Sequence, residues 1–188
     1  MMPRRILHLG AVLAALAGPV ALTVLVAPAQ AQSQAQQLDD LFAALKSAPD
    51  EAAARAVTAQ IWTLWTQPED TVLAQRMAQV LRSLGESNLS GAVAQLDKLV
   101  VDYPDYAEGW NQRATVNFLL GRYDESLADI ERTLQLEPRH FGALAGRSLI
   151  HLQRDERDLA LEAIRQALEI HPFLGERGLF PELNAIPI

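Results

Sequence analysis

Three prolines, Pro104, Pro138 and Pro172, lie 34 residues apart and set a regular period in the second half of the chain. The residues twelve and eight positions before each proline share their character, being small and aliphatic, respectively. The small residues are Ala92, Ser126 and Ala160, and the aliphatic ones are Leu96, Ile130 and Ile164. A repeated unit of this length cannot bury its apolar side alone and is stabilised by stacking on its neighbours. The period therefore predicts an array of stacked units.

The side-chain pattern inside the units predicts helices rather than strands. Leu127, Ile130 and Leu134 recur at the i, i+3 and i+7 positions that give a helix one apolar stripe. Ala, Leu, Gln, Arg and Glu are abundant, and all of them favour helices. The chain has no Asn-Gly or Asp-Gly turn and no run of alternating apolar and polar residues. The predicted fold class is all-α.

The clearest unit spans residues 107–138 and resembles the tetratricopeptide-repeat (TPR) family. The residues that carry the resemblance in this unit are Trp110, Ala114, Gly121, Tyr123, Ser126, Ile130 and Pro138. The neighbouring units keep Ala92, Leu96, Pro104, Ala160, Ile164 and Pro172. They depart from the family pattern at Arg76 and Arg157, where it has aromatic residues. The resemblance implies a right-handed α-solenoid of helix-turn-helix units: TPR 1 (73–106), TPR 2 (107–140) and TPR 3 (141–174).

The first 31 residues have the pattern of a secretory signal peptide. Arg4 and Arg5 precede an almost wholly apolar run, residues 6–27, and an Ala-Gln-Ala triplet follows at residues 29–31. We predict cleavage after Ala31 and export, with the bacterial periplasm as the destination. The alternative is an uncleaved membrane anchor, because about 20 apolar residues can span a bilayer. The triplet favours cleavage.

The charge of the chain disfavours two classes of partner. The net charge is −7 at pH 7, and the loss of Arg4 and Arg5 with the signal peptide lowers it to −9. A negative surface repels phosphate backbones and anionic lipids. We therefore expect no nucleic-acid partner, and a membrane association only if the signal peptide stays in place.

The segments that flank the repeats have separate predictions. Residues 32–37 are rich in Gln, Ala and Ser and are expected to form a flexible linker. Residues 38–72 contain two short helices with apolar stripes outside the 34-residue register, which we interpret as an N-terminal helical cap or a degenerate repeat. Residues 175–188 form a C-terminal tail, expected either to cover the last helix as a lid or to be recognised by a partner. Its large apolar residues are Leu179, Phe180, Leu183, Ile186 and Ile188.

No pattern in the chain indicates catalysis. The absence of cysteine excludes thiol catalysis and cysteine-ligated metals. The chain has no Gly-x-Ser-x-Gly elbow, no phosphate-binding loop and no HExxH motif. A metal site made from His140, His151 and His171 is the weaker alternative, since no two of them lie four residues apart on one helix. We predict a protein that is not an enzyme and has no cofactor, metal or small-molecule substrate.

The resemblance implies a protein or peptide partner, held on the concave surface that the first helices of the units line. The residues expected on this surface are Met77, Leu81, Leu84, Glu108, Asn111, Arg113, Thr115, Phe118, Ala145, Arg147, Leu149 and Leu152. Arg113 and Arg147 occupy equivalent positions one repeat apart. They are expected either to hold a carboxylate of the partner or to pair with acids of their own repeats, as Arg113 could with Asp129.

Overall fold

The computed structural model describes residues 33–184, in which all regular structure is helical. The α-helices of this range are α1 (Gln34–Lys46), α2 (Glu51–Thr66), α3 (Thr71–Gly85), α4 (Leu89–Asp102), α5 (Ala107–Leu119), α6 (Tyr123–Leu136), α7 (Phe141–Gln153) and α8 (Arg157–Ile170). Two 3-10 helices follow, Gly175–Leu179 and Pro181–Asn184. Within residues 33–184, no helix is both long and apolar enough to cross a bilayer. The predicted signal peptide, its cleavage site after Ala31 and residues 185–188 lie outside the described residues.

Helices α3 to α8 form three helix pairs on the 34-residue period, which confirms the predicted all-α repeat architecture. The repeat residues that the pattern singled out are buried: Ala92, Leu96, Ala114, Ser126, Ile130, Ala160 and Ile164. In the middle pair the two helices approach closely enough for the Ser126 hydroxyl to donate to the Ala114 carbonyl at 2.7 Å. Pro104, Pro138 and Pro172 each come two residues after the end of a helix, where a ring without an N–H stops its continuation.

The turn inside each helix pair contains one residue in the left-handed region of backbone space. These residues are Ser87 (φ 58°), Gly121 (φ 73°) and Asp155 (φ 57°), again spaced by 34 positions. The left-handed conformation costs glycine almost nothing and costs a residue with a Cβ about 1–2 kcal/mol. The turn therefore requires the left-handed backbone conformation in every unit, although only the middle unit has glycine at that position.

The expectation of a flexible linker at residues 32–37 is wrong for most of that segment, because α1 begins at Gln34. The Ser33 hydroxyl accepts from the Gln36 backbone N–H at 3.3 Å, and the Gln36 side chain accepts from the Ser33 N–H at 3.2 Å. This capping box satisfies two backbone donors at the start of the helix. The Gln34 amide also donates to the Leu64 carbonyl of α2 at 2.5 Å. The Ser-x-x-Gln spacing was the sequence signal for this start.

The α1–α2 pair, called the N-terminal hairpin below, has its main tertiary contacts with TPR 3. Its buried residues Phe42 and Trp65 share one hydrophobic core with Phe141 and Leu144 of α7, while TPR 1 has a separate core with the start of TPR 2. Burial of apolar surface contributes about 25 cal/mol per Å², so this shared core fixes the hairpin. The hairpin therefore packs mainly on the last unit, away from the position of a cap that precedes the first unit, and the alternative of a degenerate repeat stays a prediction.

Two polar contacts join the same elements at the margins of this core. Asp39 of α1 pairs with Arg139, which precedes α7, at 2.7 Å. The Thr58 hydroxyl of α2 lies 2.9 Å from Nε2 of His171, the residue after α8. Both contacts are long-range in sequence, with separations of 100 and 113 residues. They hold the hairpin against the end of the α7–α8 pair at which α7 begins and α8 ends.

The described part of the C-terminal tail lies against the last helix pair. Phe180 is fully buried and Leu183 is 7% exposed, both in the core that contains TPR 3. Arg157 of α8 holds the tail in place through two hydrogen bonds of 2.8 Å to Glu182. These contacts match the lid interpretation for residues 175–184, except that Leu179 is 50% exposed. The tail residues Ile186 and Ile188 lie outside the described residues.

Candidate functional site

A groove of about 380 Å³ lies between α5 and α7, the first helices of TPR 2 and TPR 3. We call it the α5/α7 groove. Most of its lining is apolar or small: Trp62, Ala114, Phe118, Leu119, Ile130, Gly142, Ala143, Ala145, Gly146 and Leu149. Its polar lining residues are Asn111, Gln112, Thr115, Ser126 and Glu176. A concave and mainly apolar site with a few polar groups is the usual form of a binding site.

Five of the predicted surface residues line the α5/α7 groove: Asn111, Thr115, Phe118, Ala145 and Leu149. The repeat explains their meeting, because Asn111 and Ala145 are one period apart, as are Thr115 and Leu149. The same face of two equivalent helices therefore looks into the same space. Phe118 is held at the end of α5 by Tyr123, with ring centroids 5.7 Å apart.

The three residues expected from TPR 1 do not line the α5/α7 groove. Met77 is fully buried in the core of TPR 1, and Leu84 packs against that core, because α3 turns this side towards α4 and α5. Leu81 is 38% exposed but does not line the α5/α7 groove. Leu152 of α7, one period after Phe118, instead packs against the core shared with the N-terminal hairpin. Of the three repeat units, only the second and third line the groove, together with Trp62 of α2 and Glu176 of the tail.

Glu108 was also expected on the binding surface and is instead 1% exposed. Its carboxylate is bonded to Nε2 of His140 at 3.0 Å, Nδ2 of Asn111 at 3.1 Å and Nε2 of Gln112 at 2.5 Å. His140 Nδ1 accepts from the Ala143 backbone N–H at 3.1 Å, so Nε2 carries the proton and donates to Glu108. Three donors satisfy the buried carboxylate and leave it unavailable to a ligand.

The cover over this network comes from the N-terminal hairpin. The Trp65 indole stacks on the His140 ring with centroids 4.0 Å apart and an interplanar angle of 7°. The adjacent Tyr106 hydroxyl donates to the Trp65 carbonyl at 2.5 Å. Burial and, to a lesser degree, the nearby Glu108 carboxylate raise the pKa of Tyr106, so this hydroxyl stays protonated as a donor. The repeat register contains no information on the N-terminal hairpin, which buries this network. Glu108 was therefore wrongly expected on the binding surface.

Sequence reasoning missed seven residues of the groove lining: Trp62, Gln112, Leu119, Gly142, Ala143, Gly146 and Glu176. Trp62 comes from α2 and contacts the start of α7, with its ring 5.6 Å from that of Phe141 at 85°. Gly142 makes this approach possible, because a Cβ there would lie 2.8 Å from the Trp62 ring. The sequence signal for this contact was the glycine in the first turn of a helix. Glycine costs about 1 kcal/mol relative to alanine in a helix, so its presence there indicates a close packing contact.

Arg113 is not free to bind a partner, because it is engaged inside the repeats. Its Nε and Nη2 donate to the two oxygens of Asp129 at 2.9 and 2.7 Å, and its Nη1 donates to Asp97 at 3.1 Å. The bond to Asp129 raises the pKa of the guanidinium. The guanidinium also lies 4.9 Å from the Trp110 ring, whose Nε1 donates to the Pro104 carbonyl at 2.9 Å. The internal pairing of Arg113 with Asp129 is confirmed, and Arg113 does not line the α5/α7 groove.

Arg147 stands at the equivalent position in TPR 3 with a different environment. The position equivalent to Asp129 is Ala163, and within the described residues Arg147 forms no ion pair. Its Nη2 donates to the amide oxygen of Gln166 at 2.5 Å. Burial lowers the pKa of Arg147, partly offset by Glu162 and Glu131 at longer range. Arg147 does not line the α5/α7 groove, and its predicted place on the binding surface stays a prediction.

The three histidines of the repeats occupy separate structural positions. His140 bonds to Glu108, His151 bonds to Glu156 at 2.6 Å, and His171 bonds to Thr58. Across residues 33–184, no three His, Asp or Glu side chains come together in a group that could hold a metal ion. The described histidines therefore act as helix caps and packing residues.

Solved structures with a similar backbone come from the protein MamA. One crystal structure of MamA is 15% identical in sequence and aligns with a TM-score of 0.49 over 79% of this chain and 91% of the MamA chain. A second is 16% identical, with a TM-score of 0.48 over 80% of this chain and 79% of the MamA chain.

Sequence comparisons identify relatives directly. A TPR repeat-containing protein of Rhizobium etli is 37% identical over 140 residues, which cover 74% of this chain and 69% of that protein. The SGT1 homologue of Bos taurus is 28% identical over 89 residues, 47% of this chain and 26% of that protein. The family model for the tetratricopeptide repeat matches residues 77–135 and 120–174, across the three helix pairs. The chain belongs to the tetratricopeptide-repeat family.

Proposed function

We propose that this protein is an exported, non-catalytic scaffold that holds a polypeptide partner in the α5/α7 groove. Tetratricopeptide repeats generally serve as protein-interaction scaffolds. The observation that carries the proposal is the apolar lining of the groove, in which Phe118 and Leu149 from two successive repeats face one space. An apolar groove on rigid helices stabilises a bound side chain by removing it from water.

The groove is tested by replacing its apolar residues with alanine, which leaves the charge unchanged. Mature protein from residue 32 onward is immobilised and exposed to native envelope extract, beside Phe118→Ala and Leu149→Ala. We expect one partner that the wild type retains and both variants lose. Leu159→Ala is the matched control, because Leu159 is 53% exposed on α8 and lies outside the groove. Helical content measured by circular dichroism checks that each variant is folded. Retention of the partner by both groove variants would refute the groove as the site.

Export is a separate part of the proposal and rests on the basic start, the apolar run and the triplet at residues 29–31. N-terminal sequencing of the protein recovered from cells tests it. We expect the mature chain to begin at Gln32 in a periplasmic fraction. An intact N-terminus in the membrane fraction would instead establish the alternative, a membrane-tethered subunit of an envelope complex.

A further inference from the structure

The polar groups of the α5/α7 groove are arranged asymmetrically. The amide nitrogens of Asn111 and Gln112 are turned towards the buried carboxylate of Glu108, which does not itself line the groove. In each amide the oxygen is therefore not directed at Glu108, while the residue itself lines the groove. Among the described residues, neither oxygen accepts a hydrogen bond. The groove therefore presents hydrogen-bond acceptors, and an occupant gains most by bringing donors.

The charge of the groove also favours an occupant that brings hydrogen-bond donors, namely a cation. Within residues 33–184, Glu176 is the only charged residue in the lining of the groove, and it forms no ion pair there. The surrounding chain is acidic, with 23 Asp and Glu against 16 Lys and Arg. A carboxylate at the edge of an apolar groove attracts a cation and repels another carboxylate. Charge complementarity therefore favours a basic occupant.

The acceptors also favour one backbone conformation of the occupant. In an α-helix nearly all backbone N–H groups are already bonded within the helix, whereas an extended segment carries free N–H groups along its length. An extended segment can donate backbone hydrogen bonds to Asn111 and Gln112 at any point along its length, whereas a helix can donate only from its first turn. Binding an extended segment through its main chain and alternate side chains is an established mode of recognition.

Resting on the proposed function, we propose that the α5/α7 groove selects an extended basic–apolar segment. An apolar side chain packs on Phe118 and Leu149, the backbone donates to Asn111 and Gln112, and a Lys or Arg side chain lies against Glu176.

The test uses two capped hexapeptides, Gly-Lys-Leu-Phe-Lys-Gly and the same sequence with both lysines replaced by glutamates. Their affinities for the mature protein are measured by isothermal titration calorimetry. We expect the basic peptide to bind about tenfold or more tightly than the acidic one. Glu176→Gln should reduce the affinity for the basic peptide by about fivefold, as expected for a partly solvated ion pair. Phe118→Ala should weaken the binding of the basic peptide, because the apolar contact is lost.

The outcomes separate this proposal from the proposed function. Equal binding of the two peptides, tighter binding of the acidic peptide, or no binding of either one would overturn the charge preference. An affinity for the basic peptide that Glu176→Gln leaves unchanged would do the same. If the partner captured from envelope extract is still lost in Phe118→Ala, the groove remains a binding site of different chemistry. If the capture is also independent of Phe118, both proposals fail.

Discussion

TPR 1 and TPR 3 are built on the same period, yet their surroundings differ. TPR 3 shares its core with two segments from outside the repeats, the N-terminal hairpin through Trp65 and the tail through Phe180. In the described residues, TPR 1 shares its core only with the start of TPR 2, and α3 leaves Val72 and Leu81 54% and 38% exposed. The period therefore determines the interior of a unit, whereas flanking aromatic residues determine what covers it.

The largest expected effect comes from removing the indole that joins the hairpin to TPR 3. Trp65→Ala should lower the free energy of unfolding by about 3–5 kcal/mol, because Trp65 is 6% exposed and its loss leaves a cavity over His140. Urea denaturation followed by circular dichroism measures the change. Leu81→Ala on TPR 1 is the control and should change the stability by no more than about 0.5 kcal/mol. Similar effects of the two substitutions would remove the contrast between the units.

The two equivalent arginines give the next contrast. Arg113→Ala should cost about 3 kcal/mol, because it leaves the 3% exposed Asp129 carboxylate without its bidentate partner. Arg147→Ala removes a side chain that, in the described part of the chain, bonds only to the Gln166 amide, and it should cost less than about 1 kcal/mol. The difference between the two urea midpoints is the measurement. A larger loss for Arg147 than for Arg113 would contradict the assignment of Arg113 as the structural member of the pair.

Two glycines of α7, Gly142 and Gly146, test the contact between Trp62 of the hairpin and TPR 3. A Cβ at residue 142 would lie 2.8 Å from the Trp62 ring, and Gly142→Ala should destabilise the protein by about 1–3 kcal/mol. A Cβ at residue 146 would lie 3.6 Å from Ile130, an ordinary contact, and Gly146→Ala should stabilise the helix by up to about 1 kcal/mol. Thermal unfolding of the two variants checks the opposite signs. Stabilisation by both substitutions would show that Trp62 does not pack against α7.

The smallest expected effect is a dependence on pH through His171, whose buried Nδ1 has no hydrogen-bond partner among residues 33–184. Burial lowers the pKa of His171 below the ordinary 6.5, although Glu176 opposes this. Below about pH 6.5 the imidazole of His171 therefore binds a proton less readily in the folded protein than in the unfolded chain. This part of the stability is complete above about pH 6.5 and is lost as the pH falls below that value.

His171→Gln isolates this contribution. We expect the urea midpoint of the wild type to fall between about pH 7.5 and pH 5.5 by more than that of the variant, since the variant has no titrating group at this contact with α2. Equal changes in the two proteins would assign the pH dependence to other groups.

Much of the fold could be predicted because the repeat is local. The repeat positions that precede Pro138 specify both helices of a pair within 34 residues. The pairing of Arg113 with Asp129 follows because the two residues lie on facing helices of one unit. The docking of the N-terminal hairpin could not be predicted in this way. An apolar stripe on α2 indicates that this helix packs against another apolar surface of the chain. The stripe does not specify which of the three similar units supplies that surface.

The candidate site shows the same limit. Asn111, Thr115, Phe118, Ala145 and Leu149 were found from register, since equivalent faces of α5 and α7 must look to the same side. The misplaced Glu108 and the missed Trp62 and Glu176 share another cause. Each depends on a chain segment outside the repeats, whose position follows from tertiary packing and not from the period.

The contact between the hairpin and TPR 3 also affects how the chain reaches its folded state. A linear array can form by contacts between neighbouring units, in any order and at low contact order. The contact of Thr58 with His171 spans 113 positions, so it forms only after a long loop has closed. During synthesis at about 5–20 residues per second, roughly 5–20 s separate the completion of the hairpin from that of its partner surface. Trp62 and Trp65 lack their binding surface during this interval.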